Sequence, residues 1–82
     1  MVTIDKRSTS SPKITCLVNG ESHQFKSEFL RMTDIIDHLS IPKEGLIVEH
    51  NGQLYKEGFD RLQVIENDCI ECIHFMGGGA IT

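Results

Sequence analysis

From Lys13 the chain alternates. Ile14, Cys16 and Val18 fall on one side of an extended segment and Lys13, Thr15 and Leu17 on the other, the period-two pattern of a strand. Asn19-Gly20 interrupts it and a second strand-like run covers 22–25. Asn and Gly both tolerate the positive φ of a type I′ turn, so the two runs form a hairpin. The same turn logic at Asn51-Gly52 joins 46–50 to 53–56 in a second hairpin. Between the hairpins the period changes to that of a helix. Ile35, Ile36 and Leu39 share one face, Thr33 stands where it can cap the free amides, and Asp34 complements the helix dipole. This predicts two to three turns ending near residues 40–42. The stretch 57–62 has room for one or two further turns. A last strand is predicted over 69–75, entered through the polar turn Glu66-Asn67-Asp68, with Ile70 and Cys72 on one face and Glu71 and Ile73 on the other.

The order is strand, strand, helix, strand, strand, short helix, strand. One amphipathic helix and one mixed sheet enclose a core only when the helix covers a sheet face. The class is therefore α+β, and the order matches the β-grasp, ubiquitin-like arrangement of a mixed sheet packed on one main helix, with the last strand in the middle. The expected core is Ile14, Cys16, Val18, Ile35, Ile36, Leu39, Ile70 and Cys72. Residues 1–12, with Ser8, Thr9, Ser10, Ser11 and Pro12 and no apolar periodicity, read as a flexible tail. Residues 13–76 read as the β-grasp domain and 77–82 as a flexible, glycine-rich arm with a short tail.

Composition narrows the function. The 82 residues are enough for one small core, and 39% hydrophobic with 24% charged residues is a globular balance. Eight basic against twelve acidic side chains give a net charge of -4, and without Asp5, Lys6 and Arg7 the rest is more acidic still. Such a surface repels phosphate backbones and anionic headgroups, so neither nucleic acid nor membrane is an expected partner. No apolar run approaches the roughly 20 residues of a spanning helix, and the opening MVTIDKRSTSSP lacks the apolar stretch of a signal peptide. The expected compartment is cytoplasmic, where Cys16, Cys69 and Cys72 stay reduced.

No set of residues forms a catalytic constellation, and the chain is not expected to be an enzyme. Cys69 and Cys72 have C-x-x-C spacing, but two strand residues three apart point to opposite faces and cannot jointly hold an ion, so no metal site is expected. Cys16 and Cys72 read as small core residues and Cys69 as exposed. His23, His38, His50 and His74 are scattered over different elements and read as surface or strand-edge residues. Glu66, Asp68 and Glu71 read as a solvated acidic face. Gly77, Gly78 and Gly79 stand apart: three residues without Cβ directly after a central strand make a thin arm that a deep, narrow active site of another protein can admit, the alternative being a loose terminus.

Read together, Val48-Glu49-His50-Asn51-Gly52, Phe59, and the run from Glu66-Asn67-Asp68 through Cys69-Ile70-Glu71-Cys72-Ile73-His74-Phe75-Met76 to Gly77-Gly78-Gly79 resemble the ThiS family of sulfur carrier proteins, within the wider group that includes the MoaD-like carriers. The resemblance runs from about Lys13 to Gly79. Asn67 stands where the family usually has Gly, and Asn is the natural substitute where positive φ is needed. The resemblance implies a carrier protein that is a co-substrate of other enzymes. Its terminal glycine, Gly79 of the Gly78-Gly79 pair, would be adenylated by a ThiF/MoeB-like enzyme and converted to a thiocarboxylate that donates sulfur to a thiazole synthase or an analogous acceptor. ATP would be used by the activating enzyme, with no cofactor bound to the carrier. An acyl-adenylate carries its own leaving group and a thiocarboxylate is itself nucleophilic, so the carrier needs no catalytic side chain.

The sequence departs from that pattern after Gly79. Ala80-Ile81-Thr82 follows, so the glycine carbonyl is tied up in a peptide bond. The expectation is a precursor trimmed by a metalloprotease, a feature of carriers serving sulfur pathways other than thiamine. Carriage of sulfur for cysteine, homocysteine, methionine or molybdopterin synthesis therefore stays open beside thiamine thiazole formation, as does a ubiquitin-like modifier. Partner docking is expected on the sheet face away from the helix, at Ile73 and Phe75 beside Glu71.

Overall fold

The computed structural model describes residues 12–75. Strand β1 (Ile14–Val18) and β2 (Glu21–Phe25) form the first hairpin, followed by a two-residue strand β3 (Leu30–Arg31) and helix α1 (Met32–His38). Strand β4 (Leu46–His50) and β5 (Gln53–Tyr55) form the second hairpin. A single 3₁₀ turn (Phe59–Arg61), a two-residue strand β6 (Gln63–Val64) and β7 (Cys69–His74) complete the order. The main sheet runs β2-β1-β7-β4-β5, with β7 parallel to β1 and antiparallel to β4. This is the mixed β-grasp sheet with the last strand at its centre. The expected tail and arm lie outside the described residues, apart from Pro12.

Both hairpins turn as their sequences dictate. Asn19 and Gly20 have φ of 53° and 83°, Asn51 and Gly52 φ of 50° and 91°, the paired left-handed residues of a type I′ turn. Asn67, with φ 72°, likewise does the work of the glycine usual at that turn.

The helix starts elsewhere than expected. Thr33 lies inside α1, and Arg31 is the N-cap. Its backbone N–H donates to Asp34 Oδ2 at 2.9 Å, so Asp34 reaches back to secure the first turn, while the next orphan donor, Met32 N–H, finds Leu62 O at 2.8 Å. A tertiary acceptor therefore adds to the local cap from Asp34.

Ile14, Cys16, Val18, Ile35, Ile36 and Ile70 are buried, with Leu39 and Cys72 packed against them. The core also takes in Phe25, Leu30, Met32, Leu46, Val48, Phe59 and Val64. Leu30 and Val64 enter it through the small β3–β6 pairing, a second sheet whose two-residue strands carry no periodicity to read.

Candidate functional site

Strand β7 is buried on its helix-facing side at Ile70 and open on the other. Ile73 and Phe75 are 44% and 45% exposed, and Glu71 is exposed beside them. The register extends this outer face across the sheet. Ile47 stands opposite Ile73, Glu49 opposite both Glu71 and Leu54, and Leu17 opposite Cys69. Leu17 and Leu54 are exposed as well, so apolar side chains and two facing carboxylates share one solvent-side surface. Like charges directly opposite one another across strands repel.

The chain leaves this surface next to the loop between α1 and β4. His74 is the last ladder residue, opposite Leu46. Its Nε2 lies 2.8 Å from Pro42 O and must donate, because a carbonyl only accepts. The Phe75 N–H donates to Gly45 O at 2.7 Å. Phe75, Gly45, Leu46, Ile47 and Lys56 line an open depression at this point. The glycines 77–79 lie outside the described residues, directly beyond it in sequence.

The other end of β7 holds a polar knot that the sequence did not suggest. Asp68, expected on a solvated face, is 6% exposed. It accepts hydrogen bonds from His50 Nε2 (2.8 Å), Asn51 Nδ2 (3.0 Å) and the Ile65 N–H (2.9 Å). Burial by itself would raise the Asp68 carboxyl, but the bonds from Ile65, Asn51 and His50, with the attraction of His50, hold it below the usual carboxylate range. Asn51 Oδ1 in turn accepts from the Cys69 N–H at 2.8 Å, and Glu66 Oε1 from the Thr15 N–H at 2.8 Å. Of the expected acidic face only Glu71 joins the outer surface; Glu66 and Asp68 tie the 66–68 turn to β1 and to the β4–β5 hairpin. His50 likewise belongs to this knot and is no free edge residue. The signal available beforehand was the placing of Asn51 and Asp68 at turns, residue types that bond backbone amides readily.

None of this makes a nucleophile. Burial pushes the Cys16 thiol up, with Asp68 and then Glu66 adding to it, and burial followed by Glu71 does the same for Cys72, which disfavours the thiolate of both. Cys69 is exposed and Cys72 is packed against the core, on opposite faces of β7. Among the described residues no three His, Cys, Asp or Glu side chains are grouped to hold a metal ion. No described helix is long and apolar enough to cross a membrane.

A β-grasp domain with an open face on its central strand, followed in sequence by a glycine run, has the form of a small carrier protein. No family model matches the chain. It is 29% identical over 63 residues to the sulfur carrier protein ThiS of Bacillus subtilis (strain 168), a span of 76% of this chain and 96% of the relative. The crystal structure of the thiamine biosynthesis protein ThiS from Geobacter metallireducens superposes with a TM-score of 0.68 at 32% identity, covering 80% of this chain and 100% of that one. The chain belongs to the ThiS-like sulfur carrier proteins, and is a carrier rather than an enzyme.

Proposed function

We propose that this chain carries sulfur for thiamine thiazole formation. Gly79, once it is the terminal residue, attacks ATP on a ThiF/MoeB-like enzyme through its carboxylate, pyrophosphate leaves, and a sulfur nucleophile then displaces AMP to give the thiocarboxylate. A thiazole synthase or analogous enzyme accepts the sulfur. This chain binds no cofactor in that cycle, which runs in the cytoplasm where ATP is supplied. The observation that carries the reading is likeness to ThiS along nearly the whole of a relative, joined to a glycine run placed directly after the central strand. Incubating a Gly79-ended chain with the cognate activating enzyme, ATP and a sulfur donor should raise its mass by about 16 Da, sulfur replacing oxygen. An unchanged mass in the presence of active enzyme would count against the reading.

Ala80-Ile81-Thr82 favours a second reading: a carrier released by a metalloprotease and serving amino acid synthesis. Recovery of the thiocarboxylate sulfur in cysteine, homocysteine or methionine instead of thiazole would select it.

Docking falls on the outer face of β7. Ile73 and Phe75 offer apolar area, and the opposed carboxylates Glu49 and Glu71 are relieved of mutual repulsion by a basic partner rim. Replacing Ile73 and Phe75 together by Ser should weaken binding to the activating enzyme by at least tenfold with little change in the thermal midpoint, since both are already half in water. Unaltered affinity in a titration would move the docking surface elsewhere.

A further inference from the structure

A carrier that brings no catalytic side chain contributes only the position of its terminus, and a misplacement of about 1 Å in a reacting group can cost about a hundredfold in rate. Glycines 77–79 have no side chains with which to steer themselves. Direction is therefore set by the last described residues before the arm, His74 and Phe75. Those residues are gripped from one side by a single segment, 42–45. His74 Nε2 donates to Pro42 O and the Phe75 N–H donates to Gly45 O. In addition, a Cβ placed on Gly45 would stand 2.8 Å from Phe75 O, the carbonyl that leads into Met76.

Gly45 thus meets two separate demands. Its φ of 72° needs a residue that tolerates the left-handed region, and its missing Cβ leaves room for the Phe75 carbonyl. Gly58 has the same φ of 72° with nothing within 4 Å of the corresponding Cβ. The two glycines share the φ and differ in whether a Cβ would meet a neighbour.

We propose that segment 42–45 is a collar that aims the glycine arm, with Gly45 and His74 as positioning residues for adenylation. This rests on the carrier reading above. The collar acts on the His74 side chain and the Phe75 backbone, apart from the Ile73 and Phe75 side chains that dock, so its loss should slow the reaction of bound carrier more than it weakens binding.

The test uses Gly79-ended chains in ATP–pyrophosphate exchange with the cognate activating enzyme. Gly58→Ala should keep kcat within twofold of the parent. Gly45→Ala should lower kcat at least tenfold with KM within threefold, and Gly45→Asn, which accepts the φ but adds the Cβ, should do the same. His74→Ala should lower kcat several-fold, and His74→Gln, which retains a side-chain N–H donor, should recover part of it. The histidine pair decides the matter if the Gly45 variants do not fold. Equal kcat for Gly45→Ala and Gly58→Ala, or a loss confined to KM, overturns the collar while leaving the carrier intact. Absence of exchange by the parent chain overturns the carrier reading itself.

Discussion

A chain ending at Gly79 should support pyrophosphate exchange by its activating enzyme, and the same chain continued through Ala80, Ile81 and Thr82 should support none. The difference is expected to be all or nothing because it is chemical. The Gly79 carbonyl in the longer chain is an amide, with no carboxylate oxygen to attack the α-phosphorus of ATP. Steric exclusion adds to this, since Ile81 and Thr82 are branched at Cβ and a passage shaped for glycine has no room for them. Exchange should be compared for chains ending at Thr82, Gly79 and Gly78, with the mass of each verified after the assay. Full exchange by an uncut Thr82 form would end the precursor interpretation. Activity confined to the Gly78 form would instead shift the processing site by one residue.

Replacing Asp68 by Ala should lower folding stability by about 2–4 kcal/mol, because three donors converge on this carboxylate and each loses a charge-assisted bond within a largely buried setting. The same carboxylate should make stability depend on acid. Its folded pKa lies below the unfolded value of about 3.9, so its contribution is complete above about pH 5 and drains away as pH falls through the folded pKa. Asp68→Asn keeps the shape but cannot titrate. Urea midpoints measured between about pH 6 and pH 2 should therefore fall less steeply for Asp68→Asn than for the parent. Parallel slopes for the two proteins would show that other carboxylates carry the acid dependence.

Features legible along the chain were those that local chemistry decides. Alternation at Ile14, Cys16 and Val18, the left-handed pairs Asn19-Gly20 and Asn51-Gly52, and Asn67 at the last turn each depend on neighbours only a few residues away, and each appears in the structure as the residues imply. Element order then sufficed to put β7 at the centre of the sheet. The apolar outer face at Ile73 and Phe75 followed from parity along a single strand.

Contacts between distant segments decided the rest. Thr33 has the better capping side chain, yet α1 begins at Met32 because Leu62, thirty residues on, supplies an acceptor for its amide. Leu30 and Val64 become strand residues only by finding each other. Asp68 reads as a solvated carboxylate until the fold brings His50 and Asn51, 18 and 17 residues away, onto its oxygens. His74 meets Pro42 across 32 residues. Periodicity and turn preference report how a residue relates to its own element, whereas the partner of a buried polar group is chosen by packing between elements. The sequence by itself therefore determined the sheet, the helix and the glycine-bearing end; tertiary structure alone decided which polar groups hold the two ends of β7 in place.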